Sequence, residues 1–205
     1  MATKRSRLAA VFESEQLHTT DLHGNWDLNF NDRNKFDFTL NQKKFMQTLL
    51  AGDTKIVFAD GYAGTAKTYL SVFGALTLIA TNKMNQIIYL RSVVESANQK
   101  IGHLPGMLEE KFLPYSLPLM DKLDELVTKT TANSLFKKEY IKCLPVNFTR
   151  GLTFNKSMVI VDEAQNLTRQ EITTILTRFG QGSKYVVIGD SNQSDINGKS
   201  GFSSI

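Results

Sequence analysis

Lys67 and Thr68 end the run Gly61-Tyr62-Ala63-Gly64-Thr65-Ala66-Lys67-Thr68, in which small residues lead up to an ammonium and a hydroxyl. The chemistry this order suits is the binding of a triphosphate. Backbone N–H groups converging at a helix N-terminus hold phosphate oxygens, the lysine reaches the β- and γ-phosphates, and the hydroxyl ligates Mg²⁺. The run departs from the pattern G-x-x-x-x-G-K-[ST] at Ala66, where the pattern has glycine. An alanine with helical φ and ψ fits such a position and a positive φ would strain it, so the expectation is a helical Ala66.

Two further groups follow apolar, strand-like runs. Met158-Val159-Ile160-Val161 ends in Asp162-Glu163, and Tyr185-Val186-Val187-Ile188 ends in Gly189-Asp190-Ser191-Asn192-Gln193. Acidic residues at the carboxyl ends of parallel strands project into the crevice where open α/β sheets bind ligands. Asp162 is expected to share Mg²⁺ with Thr68, and Glu163 to orient or deprotonate an attacking water. Asp190 and Gln193 bracket the γ-phosphate from the second strand. Gln193, and Gln165 in Asp162-Glu163-Ala164-Gln165, have the two-sided amide chemistry to sense that phosphate. Each group also has a plain structural reading: a Gly/Ala-rich turn, a surface acidic pair, or a turn glutamine.

The elements that must position these residues follow from periodicity. Thr39 reads as the N-cap of a helix whose face carries Phe45, Met46, Leu49 and Leu50, and Gly52-Asp53 ends it. A strand over 55–60 feeds the small-residue run, a helix over 67–81 follows, and then a strand over 86–91. Two strands joined by such a helix are expected to form a parallel, right-handed βαβ unit. The span from Lys67 to Asp162 leaves room for an intervening strand and its connections. Pro105, Pro114 and Pro118 argue against one continuous helix across 104–119. Leu119, Met120, Leu123, Leu126 and Val127 mark an amphipathic helix. Lys137, Lys138 and Lys142 beside Phe136, Tyr140 and Ile141 read as a helix with a basic solvent side. Thr168 and Glu171 form a capping box for a helix over 169–179. Residues 1–38 read as a polar N-terminal extension and 39–205 as the core, whose C-terminal end is expected to be truncated. Lys4, Arg5 and Arg7 sit near the start of that extension.

Composition excludes several classes. At 205 residues, with 41% hydrophobic and 21% charged residues, the chain suits one soluble globular domain. A net charge of +4 permits nucleic-acid binding without requiring it. The single cysteine, Cys143, rules out an intramolecular disulfide framework, and His18, His23 and His103 make no metal-ligand pattern. No run of about 18 apolar residues reads as a membrane span, and the expected location is cytoplasmic.

Taken in order, Gly61–Thr68, Ser92-Val93-Val94-Glu95, Ile101-Gly102-His103-Leu104-Pro105-Gly106, Val161–Asn166, Leu176–Gly180 and Gly189–Gln193 resemble the PhoH-like family of P-loop ATPases. The resemblance runs from about Asn41 to Gln193. The core is also similar to the motor domain of superfamily 1 helicases. It implies an α/β, RecA-like P-loop fold with a mostly parallel sheet flanked by helices, and ATP and Mg²⁺ as cofactors. It assigns nucleotide contacts to Gly61, Tyr62, Ala63, Gly64, Thr65, Ala66, Lys67, Thr68 and Tyr69, with Asp162 and Asp190 opposite. Gln42 would contact the adenine, and Arg91 and Arg178 are candidates for phosphate or nucleic-acid contacts. Ala66 and Tyr62 depart from the family, which has glycine and often proline there.

The expected activity is Mg-dependent ATP hydrolysis coupled to RNA or single-stranded DNA. Lys67, Glu163, Gln193 and Gln165 are the catalytic candidates, and strand movement would require a homo-oligomer or a partner. The alternatives are a nucleotide-gated switch with slow hydrolysis, a small-molecule kinase and a metal-dependent nuclease. A glutamate directly after the metal aspartate argues against the kinase, because no water needs activating there. No separate carboxylate cluster supports the nuclease.

Overall fold

The structure, a computed structural model, describes residues 38–92, 108–196 and 200–204. The expected extension over 1–37, with Lys4, Arg5 and Arg7, lies outside the described residues, as do Pro105 and the 101–106 element. Five strands form one sheet: β1 Ile56–Asp60, β2 Gln86–Arg91, β3 Ile141–Pro145, β4 Ser157–Asp162 and β5 Lys184–Gly189. Their order is β1-β5-β4-β2-β3 and every pairing is parallel. The helices are α1 Leu40–Leu50, α2 Lys67–Ala80, α3 Leu108–Leu126, α4 Lys129–Lys137 and α5 Arg169–Leu176. The expected α/β architecture is what the chain adopts.

The two-residue period of a strand sorts the sheet's side chains onto two cores. Ile87 and Tyr89, Met158 and Ile160, and Val186 and Ile188 face one layer, packed with Met46 and Leu49 of α1, Leu70, Val72 and Leu76 of α2, and Leu119 and Leu123 of α3. Ile88 and Leu90, Val159 and Val161, and Tyr185 and Val187 face the other, against Ile172 and Ile175 of α5 with Phe154, Leu167 and Phe202. Strands β4 and β5 are buried along their whole length. That is why both read as unbroken apolar runs and why they take the central, twice-covered positions. Strand β1, at one edge, alternates exposure instead.

Several local expectations hold. Thr39 caps α1 with a reciprocal capping box to Gln42, and Thr168 caps α5 with Glu171. β1 and β2 are parallel in one sheet as expected, with β5 and β4 between them. Others are corrected. Two strands, β2 and β3, intervene between Lys67 and Asp162, rather than one. Helix α3 runs through Pro114 and Pro118. A helical proline costs about 3 kcal/mol, but buried Leu119, Leu123 and Leu126 return about 1.5–3 kcal/mol each, enough to hold the helix against the sheet. The basic helix expected around Lys142 is instead the end of α4, a turn and β3. Glu139 adopts a left-handed conformation (φ 60°), which stops the helix, and Ile141–Pro145 then pairs with Ile87–Arg91. The helix expected over 169–179 ends at Leu176.

Candidate functional site

Strands β1, β4 and β5 all end at one edge of the sheet, and a cleft of about 450 Å³ opens there. Ala63, Gly64, Thr65, Ala66, Lys67, Thr68 and Tyr69 line it together with Asp162, Glu163, Gln165, Gly189, Asp190 and Gln193. Phe38, Gln42, Lys122 and Glu125 also contribute to its lining. The loop between β1 and α2 is built by backbone geometry. Gly64 has φ 77° and Ala66 has φ 65°, ψ 22°, so Ala66 is left-handed and not helical as its residue type suggested. The sharp reversal turns the chain into α2, whose first-turn N–H groups have no intrahelical acceptors and whose first residues, Lys67, Thr68 and Tyr69, line the cleft.

Neighbouring strand ends hold this loop in shape. Ala63 N–H donates to Asp190 Oδ2 at 2.9 Å, and Gly61 N–H donates to Gly189 O at 3.2 Å. Asp190 is buried and its other oxygen accepts from Asn192 N–H, so its carboxylate shapes both loops. Asp60, at the end of β1, accepts from Ser191 N–H and Ser191 Oγ at 2.9 and 2.7 Å. Burial pushes the Asp60 carboxyl up, but those hydrogen bonds, the Gly61 N–H and the charge on Lys67 outweigh it and lower its pKa. Lys67 Nζ donates to Gly61 O and, at 2.8 Å, to Tyr62 O, so the ammonium curls over its own loop. Tyr62 projects into solvent at the tip.

The loop and the acidic pair meet. Thr68 Oγ1 donates to Asp162 Oδ1 at 3.2 Å, across 94 positions of sequence. Asp162 is buried, its Oδ1 also accepts Glu163 N–H at 3.0 Å, and its Oδ2 accepts from the Tyr89 hydroxyl. Burial pushes the Asp162 carboxyl up. The Tyr89 hydrogen bond and the Arg91 charge oppose that, and the neighbouring Glu163 charge adds to it. A carboxylate held against burial in this way is one that a cation would stabilise. Among the described residues no group of three or more His, Cys, Asp or Glu side chains gathers around a possible metal site. The donors present, one hydroxyl and one carboxylate oxygen, are hard oxygens. They fit Mg²⁺, which keeps several waters and draws its remaining oxygens from phosphate.

Glu163 is also left-handed, at φ 54° and ψ 40°. For a non-glycine residue this is strain of the kind that collects at functional sites. Its Oε2 accepts from Gln165 Nε2 at 2.6 Å, and its Oε1 lies 3.6 Å from Arg91 Nη2. Gln165 Oε1 in turn accepts Asp190 N–H at 3.1 Å, so one buried amide bridges the ends of β4 and β5. A Cβ on Gly189 would sit 2.8 Å from that same Gln165 oxygen and 2.9 Å from Phe202, so glycine is what lets the amide pass. Gln193 lines the cleft from an exposed turn closed by its own N–H to Asp190 O.

Gln42 reaches the loop itself: its Nε2 donates to Thr65 O at 3.2 Å while its Oε1 accepts Thr39 N–H. Arg91, expected at phosphate or nucleic acid, sits beside the acidic pair, 3.8 Å from Asp162 Oδ2. Arg178 does not join the site. It lies near Tyr185, at the opposite end of β5 from Gly189, roughly 13 Å away by strand rise. Sequence reasoning missed Asp60, Tyr89, Phe38, Lys122 and Glu125. The signal for Tyr89 was strand parity, since it lies two positions before Arg91 on the same face. Nothing local marked the α3 pair.

The family model for PhoH-like proteins matches residues 37–205. A PhoH-like protein of Mycobacterium tuberculosis (strain ATCC 25618 / H37Rv) is 41% identical over 160 residues, covering 78% of this chain and 45% of the relative. A PhoH-like protein of Bacillus subtilis is 37% identical over 158 residues, covering 77% and 49%. Protein PhoH of Escherichia coli K12 is 34% identical over 144 residues, covering 69% and 40%. The chain thus spans less than half the length of these relatives. Among solved structures, the Sulfolobus solfataricus SWI2/SNF2 ATPase core in complex with dsDNA aligns with a TM-score of 0.47 at 12% identity, over 82% of this chain and 35% of that one. The family match over residues 37–205 and relatives at 34–41% identity show that the chain belongs to the PhoH-like family.

Proposed function

We propose that this chain binds ATP with Mg²⁺ and hydrolyses it, and that turnover is coupled to RNA or single-stranded DNA. The observation that carries the reading is the contact between Thr68 Oγ1 and Asp162 Oδ1, which joins the loop to the acidic strand end inside one cleft. Lys67 and the loop amides hold the phosphates, and Thr68 and Asp162 hold the metal. A Mg²⁺ ion held by Thr68 and Asp162 would supply charge neutralisation for the triphosphate. Glu163 directs the attacking water, and Gln165 and Gln193 respond to the γ-phosphate. Phe38 and Gln42, which also line the cleft, receive the base. On the same reading the protein acts in the cytoplasm and works as a homo-oligomer.

One observation favours a second reading, a nucleotide-gated switch with slow hydrolysis. Both carboxylate oxygens of Glu163 are engaged, one by Gln165 and one by Arg91, so orienting a water requires one of those contacts to give way. Phosphate release with and without single-stranded RNA, single-stranded DNA and duplex separates the two readings. Strong stimulation supports the coupled ATPase, and unchanged slow turnover supports the switch. Lys67→Ala is expected to abolish turnover. Glu163→Gln is expected to keep nucleotide binding while hydrolysis falls by about 10²-fold or more. Normal turnover by Glu163→Gln would remove that residue from the chemistry.

A further inference from the structure

We infer that Tyr89 is a positioning residue for Asp162, and that its hydroxyl sets how tightly the site holds a divalent cation. The inference rests on the nucleotide reading above and adds a residue that reading does not use.

Asp162 has two oxygens with separate duties. Oδ1 lies on the loop side, within 3.2 Å of Thr68 Oγ1 and 3.0 Å of Glu163 N. Oδ2 lies on the strand side, where the Tyr89 hydroxyl donates to it and Arg91 Nη1 approaches to 3.8 Å. A carboxylate can turn about its last bond, and a turned Asp162 would present neither oxygen to Thr68 at the right angle. The hydrogen bond from Tyr89 opposes that turn.

Tyr89 is suited to the task because packing surrounds it. Its side chain is fully buried, within the core that α2 and α3 cover. Register places it opposite Ile160 on β4, two residues before the Arg91–Asp162 pair, so residues 89 and 91 point to the same face as Asp162. The two donors differ in one respect that matters. The guanidinium of Arg91 carries a positive charge and opposes a second cation nearby. The neutral phenol orients the carboxylate without that repulsion. Removing a hydrogen-bond partner of a metal ligand typically costs 10–100-fold in metal affinity.

The test is a titration of Mn²⁺, followed by its electron paramagnetic resonance signal, in the presence of a non-hydrolysable ATP analogue. Wild type, Tyr89→Phe and Tyr89→Leu are compared, with analogue affinity in EDTA measured alongside. Tyr89→Phe is expected to weaken Mn²⁺ binding by about 10-fold or more, with metal-free analogue affinity within about twofold of wild type. Tyr89→Leu, which also gives up the ring, is expected to lose Mn²⁺ affinity to the same extent. Unchanged Mn²⁺ affinity in Tyr89→Phe overturns the inference, as does a loss confined to Tyr89→Leu, which would assign the residue to packing. A wild type that binds no Mn²⁺ with the analogue overturns the nucleotide reading itself.

Discussion

Ala66 carries the sharpest conflict between residue type and conformation in the site. It enters α2 with φ 65° and ψ 22° and no side-chain cap. A left-handed conformation in a non-glycine residue costs about 1–2 kcal/mol. The reversal at 66 turns the chain from the loop into α2, whose first residues line the cleft. Ala66→Gly should therefore keep nucleotide affinity and gain up to about 1 kcal/mol in stability, the relief being partly offset by extra freedom in the unfolded chain. Ala66→Val should lose at least about 1–2 kcal/mol, since a β-branched residue is a genuine outlier there. Urea midpoints of the two variants check this; a Val variant as stable as wild type would contradict the strained loop. The motif itself was legible, because Lys67, Thr68, Asp162 and Glu163 are residue types with specific chemistry. The conformation of Ala66 was not, because alanine's local preference is helical and the requirement comes from where the loop's amides must converge.

At the level of elements, what could be read and what could not divide by the range of the interaction that decides. The caps at Thr39 and Thr168 were legible because a capping box is closed within four residues. Strands β4 and β5 were legible from their unbroken apolar runs. Strand β3 was not: its sequence, Ile-Lys-Cys-Leu-Pro, becomes a strand by pairing with β2, a contact no local pattern announces. Lys184 shows the same dependence on distant partners. It opens β5 and is buried, with its ammonium donating to Leu49 O and Ala51 O at the C-terminus of α1. Burial lowers its pKa from 10.5, with repulsion from Lys55 and Lys83 adding and Asp53 opposing. Between that lowered value and 10.5 the unfolded chain holds the proton and the folded chain has released it, so this group adds stability as pH rises. Urea midpoints of wild type and Lys184→Met, compared from about pH 8 to about pH 10.5, should show a wild-type advantage that grows with pH. At the alkaline end it should reach about 1–3 kcal/mol, because methionine leaves both carbonyls without that donor. A difference that stays flat or shrinks would contradict the buried-lysine assignment.

Across the whole molecule, the candidate site residues gather at the carboxyl ends of the strands of one parallel sheet. β1 and β5 are adjacent there and tie their loops together through Asp60, Ser191, Ala63 and Asp190. β4 sits one strand further in and brings Asp162 under Thr68 by strand parity. The order of strands was not readable from the sequence, since a helical crossover of fixed length can skip neighbours, yet the edge at which the loops meet followed from the parallel arrangement alone. Among the described residues no helix is long and apolar enough to cross a membrane. The most direct test of a shared metal is a calorimetric titration of a non-hydrolysable ATP analogue with and without Mg²⁺, using wild type, Thr68→Val, Asp162→Asn and the double variant. Wild type should bind at least about 10-fold tighter with Mg²⁺, and each single variant should lose most of that gain. The double variant should lose no more than either single, because both residues serve one ion. A Mg²⁺ gain that survives both substitutions, or losses that simply add, would mean that the loop and the acidic strand end do not grip the same magnesium.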